Sequence, residues 1–259
     1  MKIAKHISFY FISDRIIYIN KIIAETNKYL HSTDIFIHTN NKLLFPEDFD
    51  NYTNYTNGKI KIIYHDLSGI DPHYLTWKCR DLLKQQRYDY DIFMYIEDDI
   101  LVPYKAVKYW EERNEKLIKD NYNLGFVRIE VGTDGDEYIT DLPGKQFTNC
   151  TFLDSEMYCI NDITPYCAFW IYNKHEFNKF VDSKWYDLHN IIYYSNCIRE
   201  KSAFGLHLFT TDWYKKTVIP IVDNKLSSDC KIYHISNNYV NDSSNHYATV
   251  KFLEALNLN

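Results

Sequence analysis

The sequence predicts an α/β protein with a mainly parallel sheet flanked by helices and a smaller, mixed second half. Strand-like and helix-like segments alternate through the first half of the chain, as in βαβ units. The run Ile92-Phe93-Met94-Tyr95-Ile96 is entirely apolar, which is typical of a strand covered on both faces. No clean linker or internal repeat interrupts the 259 residues. We therefore expect a single domain over 1–259, with halves at about 1–131 and 132–259.

Local signals place the individual elements in order along the chain. The predicted strands are Ile7–Ile12, Thr33–Thr39, Lys59–Tyr64, Ile92–Ile96, Leu124–Val131, Tyr166–Tyr172, Thr217–Val222 and Lys231–Ile235. The predicted helices begin at a cap on Asp14 and at Asp71-Pro72, and cover Tyr104–Lys119 and Asp187–Lys201. Because proline cannot donate to a strand ladder, Pro220 predicts an edge strand. Polar, turn-rich stretches at 40–57 and from Gly132 onward predict loops or hairpins.

Composition excludes several classes of protein. A net charge of −6 gives no support for a nucleic-acid partner, which usually binds a basic stripe. No apolar stretch approaches the roughly 18 residues of a membrane span, and the N-terminus lacks the features of a signal peptide. Six cysteines without a CxxC pair therefore predict reduced thiols and a cytoplasmic location. Seven glycines form neither GxGxxG nor a P-loop, which argues against Rossmann dehydrogenases and P-loop NTPases.

Three carboxylates, Glu97-Asp98-Asp99, follow the central apolar run directly. Ligands of open α/β sheets bind beyond the carboxyl ends of the strands. If the backbone stays extended, Glu97 and Asp99 face one side and Asp98 the other. Two carboxylates on one side can hold a hard divalent cation, with substrate phosphates completing its shell. The alternative is a solvated acidic turn before a helix that starts near Pro103.

On these residues the chain resembles the nucleotide-sugar glycosyltransferases of the GT-A fold. Tyr95-Ile96-Glu97-Asp98-Asp99-Ile100 is similar to the EDD variant of their DxD motif, and the organisation is similar over roughly residues 5 to 235. The resemblance implies a GT-A-like, Rossmann-like fold whose first half binds the nucleotide and whose second half binds the acceptor. It also implies Mn²⁺ or Mg²⁺ as cofactor, a nucleoside diphosphate sugar as donor and a hexosyltransferase-like activity.

The resemblance also assigns roles to single residues. Asp99 is expected to bind the metal, and Glu97 to contact the ribose or a metal-bound water. Asp98 is expected in the nucleotide site. Arg80, on the helix before the central strand, matches a family position whose basic residue contacts the nucleotide. His234 matches a late histidine that contacts the metal or the diphosphate, and the alternative is a core or surface histidine.

A general base is needed if the reaction inverts the anomeric configuration. The candidates are Asp212 and Glu200, with Glu156 third, and for each the alternative is a solvated carboxylate. Retaining members need no such base, and the sequence leaves both outcomes open.

Further candidates lie at the ends of the first two predicted strands and on a later strand. The nucleotide is expected near Ser13, Asp14, Arg15, His38, Thr39 and Asn40. Ordinary capping and turn chemistry is the alternative for each of them. Arg128 and Glu130 share a strand face, and form either a buried ion pair or part of the cleft.

The leading hypothesis is a metal-dependent glycosyltransferase that moves a sugar from a nucleoside diphosphate sugar to a hydroxyl acceptor in glycan synthesis. A nucleotidyl- or phosphotransferase also uses carboxylates and a metal, but usually needs a basic phosphate groove. A third possibility is a non-catalytic glycan-binding protein with a degenerate site.

Overall fold

The computed structural model describes residues 1–192, 197–211, 213–242, 244 and 246–258. The strands are β1 (Lys2–Phe9), β2 (Ser32–Thr39), β3 (Ile60–Tyr64), β4 (Ile92–Glu97), β5 (Ile100–Leu101), β6 (Asn123–Leu124), β7 (Val127–Val131), β8 (Glu137–Ile139), β9 (Cys150–Leu153), β10 (Glu156–Ile160), β11 (Phe169–Asn173), β12 (Thr217–Val222), β13 (Lys225–Leu226), β14 (Lys231–His234) and β15 (Val250–Lys251). The α-helices are α1 (Ile16–Thr26), α2 (Leu75–Gln85), α3 (Tyr104–Lys119), α4 (Lys174–Asp182) and α5 (Ile198–Phe204).

The chain forms two compact units, each assembled from two separate stretches of sequence. The first unit comprises Met1–Ile100 and Ala168–Leu206, and the second comprises Leu101–Cys167 and His207–Asn259. This division differs from the expected sequential halves, because α3 to β7 belong to the second unit and β11 to α5 belong to the first.

The first unit contains a sheet with the strand order β11-β4-β1-β2-β3. Strands β1 to β4 pair in parallel, and β11 pairs antiparallel with β4. Every residue of β4 is buried, as its unbroken apolar run predicts for a central strand. The predicted α/β class with a mainly parallel sheet is therefore confirmed.

Two adjacent residues of β1 show that helices cover both faces of this sheet. Nζ of Lys5 donates to Oγ1 of Thr26, the last residue of α1, at 2.7 Å. Nε2 of His6 lies 3.0 Å from Oε1 of Gln86, which caps the end of α2. Since neighbouring side chains of a strand point to opposite faces, α1 and α2 lie on opposite sides of the sheet.

The second unit is built on mixed sheets, as predicted for a mixed second half. One sheet contains β13, β12, β10 and β9 in that order, with β6 also pairing with β12. Another contains β15, β8, β7 and β14 in that order, and β14 runs parallel to β7. Helix α3 matches its predicted range of Tyr104–Lys119.

The N-terminal prediction misplaced both the first strand and the start of the first helix. Strand β1 begins at Lys2 and ends at Phe9, because Lys5 and His6 are buried with hydrogen-bond partners and interrupt the apolar pattern. A short 3₁₀ turn covers Ser13–Arg15, and α1 begins at Ile16 without a side-chain cap from Asp14.

Three later predictions also need correction. Strand β12 is not an edge strand: Pro220 lies opposite Tyr158 of β10, and its carbonyl accepts a hydrogen bond from N of Ser227 on the other side. The predicted strand Leu124–Val131 is two strands, β6 and β7. The predicted helix Asp187–Lys201 contains a 3₁₀ turn at Leu188–Asn190, because the Asp187 carboxylate caps N of His189. Only α5, from Ile198, is helical as predicted, and 193–196 lie outside the described residues.

Two remaining expectations concern cysteines and membrane spans. All six cysteines are free thiols, as predicted. Among the helices in the described ranges, none has the length and apolar character needed to cross a membrane.

Candidate functional site

The three carboxylates lie buried at the carboxyl end of the central strand. Glu97 is the last residue of β4, and Asp98 and Asp99 form the turn that follows it. Only 6% of Glu97, 8% of Asp98 and 7% of Asp99 is exposed. Such burial is rare for unpaired carboxylates. The interpretation of the triplet as a solvated acidic turn is therefore wrong.

The guanidinium of Arg15 holds Asp98 and Asp99 together. Nη2 of Arg15 donates to Oδ1 of Asp98 and to Oδ2 of Asp99, at 2.8 Å in each case. Nε of Arg15 lies 2.7 Å from Oδ2 of Asp98. The placement of Asp98 and Asp99 on opposite sides required an extended backbone, and that condition is not met, because the chain turns after Glu97 and strand alternation ends there.

Glu97 has a different cationic neighbour. Its Oε2 lies 3.5 Å from Nε of Arg199, on α5. Burial, followed by the charge of Asp99, raises the pKa of Asp98, and Arg15 acts in the opposite direction. Three carboxylates and two guanidinium groups therefore lie close together at this site.

A cavity of about 280 Å³ opens beside this cluster within the first unit. Its walls come from the carboxyl ends of β1 and β4 and from the start of α2, which is where open α/β sheets bind ligands. The lining residues are Ser8, Tyr10, Ile12, Arg15, Pro72, His73, Leu75, Thr76, Glu97, Asp98 and Arg199. The cavity thus combines an aromatic ring, two arginines and two carboxylates.

The contacts of Arg15 Nη2 indicate whether Asp98 and Asp99 could bind a divalent cation. One nitrogen contacts an oxygen of Asp98 and an oxygen of Asp99, so the two carboxylates already converge on a single positive centre. Their oxygen atoms are the ligands that Mg²⁺ and Mn²⁺ prefer. In the described ranges no group of three or more His, Cys, Asp or Glu residues is arranged as a metal site. The pair therefore fits a cation that takes its remaining ligands from substrate phosphates and water.

Ser13 and Thr39 lie outside the cavity lining, unlike Arg15. The hydroxyl of Ser13 donates to Oδ1 of Asp14 at 3.3 Å. Thr39 is buried at the end of β2, where its Oγ1 accepts from N of Asn41 at 3.3 Å. These contacts are the turn and capping chemistry that was the alternative interpretation, and a nucleotide role for either residue stays a prediction.

Arg80 is buried among aromatic rings of the first unit. Its guanidinium donates to the carbonyl oxygens of Tyr186 and Ser202, at 3.3 Å and 3.0 Å. The guanidinium carbon lies 4.5 Å to 4.8 Å from the ring centroids of Trp77, Phe180 and Tyr186. These contacts account for its burial without a nucleotide, so we leave Arg80 out of the proposed site.

His234 lies in the second unit, at the end of β14. Its Nδ1 contacts the carboxylate of Glu130, and its Nε2 lies 2.9 Å from the hydroxyl of Ser236. The other carboxylate oxygen of Glu130 accepts from the backbone N–H groups of Tyr239 and Val240, at 2.9 Å and 2.6 Å. Hydrogen bonds and the charge of His234 lower the pKa of Glu130 despite the effect of its burial. A carboxylate that orients a histidine is common beside metals, and the ligand role of His234 stays a prediction.

Arg128 and Glu130 are both buried, but they do not pair with each other. Arg128 forms a two-point ion pair with Asp141, with distances of 3.0 Å and 2.7 Å, whereas Glu130 binds His234. Of the two alternatives for these residues, an ion pair between Arg128 and Glu130 is therefore wrong.

A role as general base stays a prediction for all three candidates. Asp212 lies outside the described residues. Glu200 is on α5, partly exposed, and Glu156 forms a 2.7 Å ion pair with Arg113 on the surface of the second unit. The sequence analysis named Glu200 as a candidate base but did not name its neighbour Arg199, which lines the cavity. It also missed Tyr10, His73 and Thr76, which carry no motif that would have singled them out.

Comparison with known proteins gives structural similarity only. No protein-family model matches the chain, and no curated protein matches it. A crystal structure of S. aureus TarS is similar over 90% of this chain, with 14% identity and a TM-score of 0.48. Crystal structures of S. aureus TarS 1-349, alone and in complex with UDP-GlcNAc, are similar over 90% and 93% of this chain, each with 12% identity and a TM-score of 0.46. The chain spans 36%, 60% and 62% of those three chains. At these scores the similarity supports no statement about function.

Proposed function

We propose that this protein is a glycosyltransferase that moves a sugar from a nucleoside diphosphate sugar to a hydroxyl acceptor. One observation carries the proposal: Asp98 and Asp99 converge on a single cationic nitrogen beside a cavity at the carboxyl ends of β1 and β4. That arrangement resembles the DxD site of the GT-A glycosyltransferases, which the EDD triplet predicts. The donor would bind in this cavity.

Each part of the cavity has a chemical role in this proposal. Tyr10, 42% exposed, offers a ring face to the nucleobase. Arg15 and Arg199 offset the charge of the diphosphate. Glu97 accepts a hydrogen bond from a ribose hydroxyl, as the resemblance implies. Asp98 and Asp99 would hold Mn²⁺ or Mg²⁺, which supplies electrostatic stabilisation to the departing phosphate oxygen when bound.

The reaction requires charge stabilisation at one bond and proton removal at another. The bond between the anomeric carbon and the β-phosphate oxygen breaks, and its electron pair leaves on that oxygen. Arg15 and Arg199, which line the cavity, would stabilise the charge that develops there. The acceptor oxygen bonds to the anomeric carbon and loses its proton. If the reaction inverts the anomeric configuration, a base takes that proton, and Glu200 and Asp212 are the candidates.

Isothermal titration calorimetry with UDP and GDP, each with Mn²⁺, tests the donor site directly. We expect one of the two nucleotides to bind with a stoichiometry of about one in the presence of metal, and Asp99→Asn to weaken that binding at least about tenfold. Folded protein that binds neither nucleotide would contradict the proposal.

A nucleotidyltransferase is the second candidate. Enzymes of that class usually need basic residues in a phosphate groove, and Arg15 and Arg199 supply basic residues beside the carboxylates. Product analysis separates the two. Release of nucleoside diphosphate from a nucleotide sugar supports sugar transfer, whereas release of pyrophosphate from a nucleoside triphosphate supports nucleotidyl transfer. A donor that binds tightly and remains unchanged with many acceptors would indicate a non-catalytic glycan-binding protein.

A further inference from the structure

We propose that Arg15 and a divalent cation compete for the same oxygen atoms of Asp98 and Asp99, so that the free protein excludes the cation and admits it only together with a diphosphate. The inference rests on the proposed donor site and deepens it by assigning an order to its ligands. It makes Arg15 the residue that couples the two binding events.

The competition follows from which oxygen atoms Arg15 already uses. Its guanidinium contacts both carboxylate oxygens of Asp98 and Oδ2 of Asp99 at 2.7 Å to 2.8 Å. A divalent cation binds carboxylate oxygens at about 2.0–2.6 Å. A cation on those oxygens would therefore lie within a few ångströms of the guanidinium. Two positive centres so close, at carboxylates that are themselves buried, repel each other strongly.

The free protein favours the guanidinium over the metal. Asp98 and Asp99 are buried, and a guanidinium tethered to the same chain offsets their charge without losing translational freedom. Divalent cations, by contrast, must lose tightly held water to enter. Arg15 is thus the resident cation of this pair.

A diphosphate changes this balance by giving Arg15 another partner. Arg15 lines the cavity and its side chain is 28% exposed, so its guanidinium has room to turn toward a bound ligand. It is carried on the short turn Ser13–Arg15 between β1 and α1. Phosphate oxygens bind guanidinium groups through two parallel hydrogen bonds. Once Arg15 contacts the diphosphate, its contacts with Asp98 and Asp99 are given up, and phosphate oxygens become available as additional metal ligands.

The two ligands must then help each other to bind. Coupling between binding sites is reciprocal, so the factor by which a diphosphate raises the affinity for Mn²⁺ equals the factor by which Mn²⁺ raises the affinity for the diphosphate. A cation that binds the free protein and the nucleotide complex equally well has no such coupling.

The test is a titration of the full chain with Mn²⁺ in the absence of nucleotide. The electron paramagnetic resonance signal of free Mn²⁺ measures how much of the metal is bound. Variants are Arg15→Gln, Arg15→Lys and Arg87→Gln. Arg87 is the matched control because it also pairs with an aspartate, Asp182, away from the cavity. We expect wild type, Arg15→Lys and Arg87→Gln to bind Mn²⁺ at least about tenfold more weakly than Arg15→Gln. Adding UDP or GDP should raise the Mn²⁺ affinity of wild type at least about tenfold, and that of Arg15→Gln much less.

Two results would overturn the inference. One is wild-type protein that binds Mn²⁺ without nucleotide as tightly as Arg15→Gln does. The other is wild-type protein that binds a nucleotide but gains no Mn²⁺ affinity from it, and this measurement needs no variant, so it decides the matter even if Arg15→Gln fails to fold. If neither nucleotide binds, the proposed function fails, while the nucleotide-free comparison of wild type with Arg15→Gln still decides the competition.

Discussion

Asp98 and Asp99 are consecutive in the chain, yet both carboxylates lie 2.8 Å from the same atom, Nη2 of Arg15. In an extended strand, side chains of consecutive residues point to opposite faces. Their convergence therefore requires the turn that starts after Glu97. It makes Asp98 and Asp99, rather than Glu97 and Asp99, the pair that shares a cation. Substitution of Asp98 should therefore have as large an effect as substitution of Asp99, whereas an extended strand would predict a milder effect for Asp98.

Asp98→Asn and Asp99→Asn should both impair donor turnover. Each removes one charge from the shared cation site but keeps the side-chain shape, and loss of metal-dependent charge stabilisation is worth orders of magnitude in rate. We expect each variant to lose about 100-fold or more in hydrolysis or transfer of the donor sugar. Asp182→Asn, at an ion pair away from the cavity, serves as the control. If Asp98→Asn kept wild-type turnover while Asp99→Asn lost it, the shared site would be wrong.

Arg80→Met should reduce stability without affecting nucleotide binding. The substitution removes the guanidinium donor from the carbonyl oxygen of Tyr186, and an unsatisfied group costs about 1–3 kcal/mol. The carbonyl oxygen of Ser202 loses the same donor but still accepts from Nε1 of Trp170. We expect the free energy of unfolding to fall by about 1–3 kcal/mol in urea denaturation. Lys78→Met, at an exposed position of the same helix, should change it by less than about 0.5 kcal/mol. If folded Arg80→Met binds UDP or GDP more weakly than wild type, the result would instead support the predicted contact between Arg80 and the nucleotide.

The central strand and its acids were predictable because their signals are local. An apolar run followed by carboxylates needs no knowledge of distant residues, and β4 matches its prediction almost to the residue. Strand β1 was misplaced because Lys5 and His6 are stabilised by Thr26 and Gln86, which are remote in sequence. Pro220 led to the wrong prediction of an edge strand, because β12 pairs with β6 at its start and with β13 at its end.

The cation at the site was predictable only in part. The sequence predicts a metal ion at Glu97 and Asp99, and it places Arg15 near the nucleotide. It did not indicate that Arg15 itself would contact Asp98 and Asp99, which are more than eighty residues away. Such contacts depend on the turn after β4 and on the turn before α1, and neither turn has a residue pattern that fixes its side-chain directions.

Gly58→Ala should destabilise the pairing of β2 with β3. A Cβ atom at Gly58 would lie 2.1 Å from the carbonyl oxygen of Thr33 and 2.6 Å from its carbonyl carbon, and backbone atoms of a buried strand cannot move aside cheaply. We expect a loss of about 3 kcal/mol or more in the free energy of unfolding. Gly69→Ala is the control: its Cβ meets nothing within 4 Å, but its φ of +76° costs about 1–2 kcal/mol. Equal losses in the two variants would show that the contact with Thr33 relaxes freely.

A chain of three histidines predicts that stability decreases in acid. His6 Nδ1 lies 2.9 Å from His38 Nε2, and His38 Nδ1 lies 2.8 Å from His65 Nε2. His6 Nε2 must carry a proton, because the Gln86 oxygen beside it can only accept. When His6 is neutral, its Nδ1 accepts from Nε2 of His38, and Nδ1 of His38 accepts from Nε2 of His65. In this arrangement both ring nitrogens of His6 and of His38 are in hydrogen bonds, so neither ring can take up a proton without losing one of them.

The sign of the pH effect follows from these protonation states. Burial lowers the pKa of His6 from 6.5 to about 3 and that of His38 well below 6.5. The unfolded chain takes up protons below about pH 6.5 and the folded chain does not, so stability falls as pH decreases. We expect His6 and His38 each to lower the free energy of unfolding by about 2 kcal/mol at pH 5 relative to pH 7.

Urea denaturation at pH 7, 6 and 5 measures this dependence for wild type, His38→Gln and the exposed control His175→Gln. We expect His38→Gln to be less stable than wild type at pH 7, because it breaks the chain of imidazoles, but to lose about 2 kcal/mol less between pH 7 and pH 5. His175→Gln should keep the wild-type dependence. If His38→Gln shows the same loss of stability in acid as wild type, the buried imidazoles do not remain neutral in the folded protein.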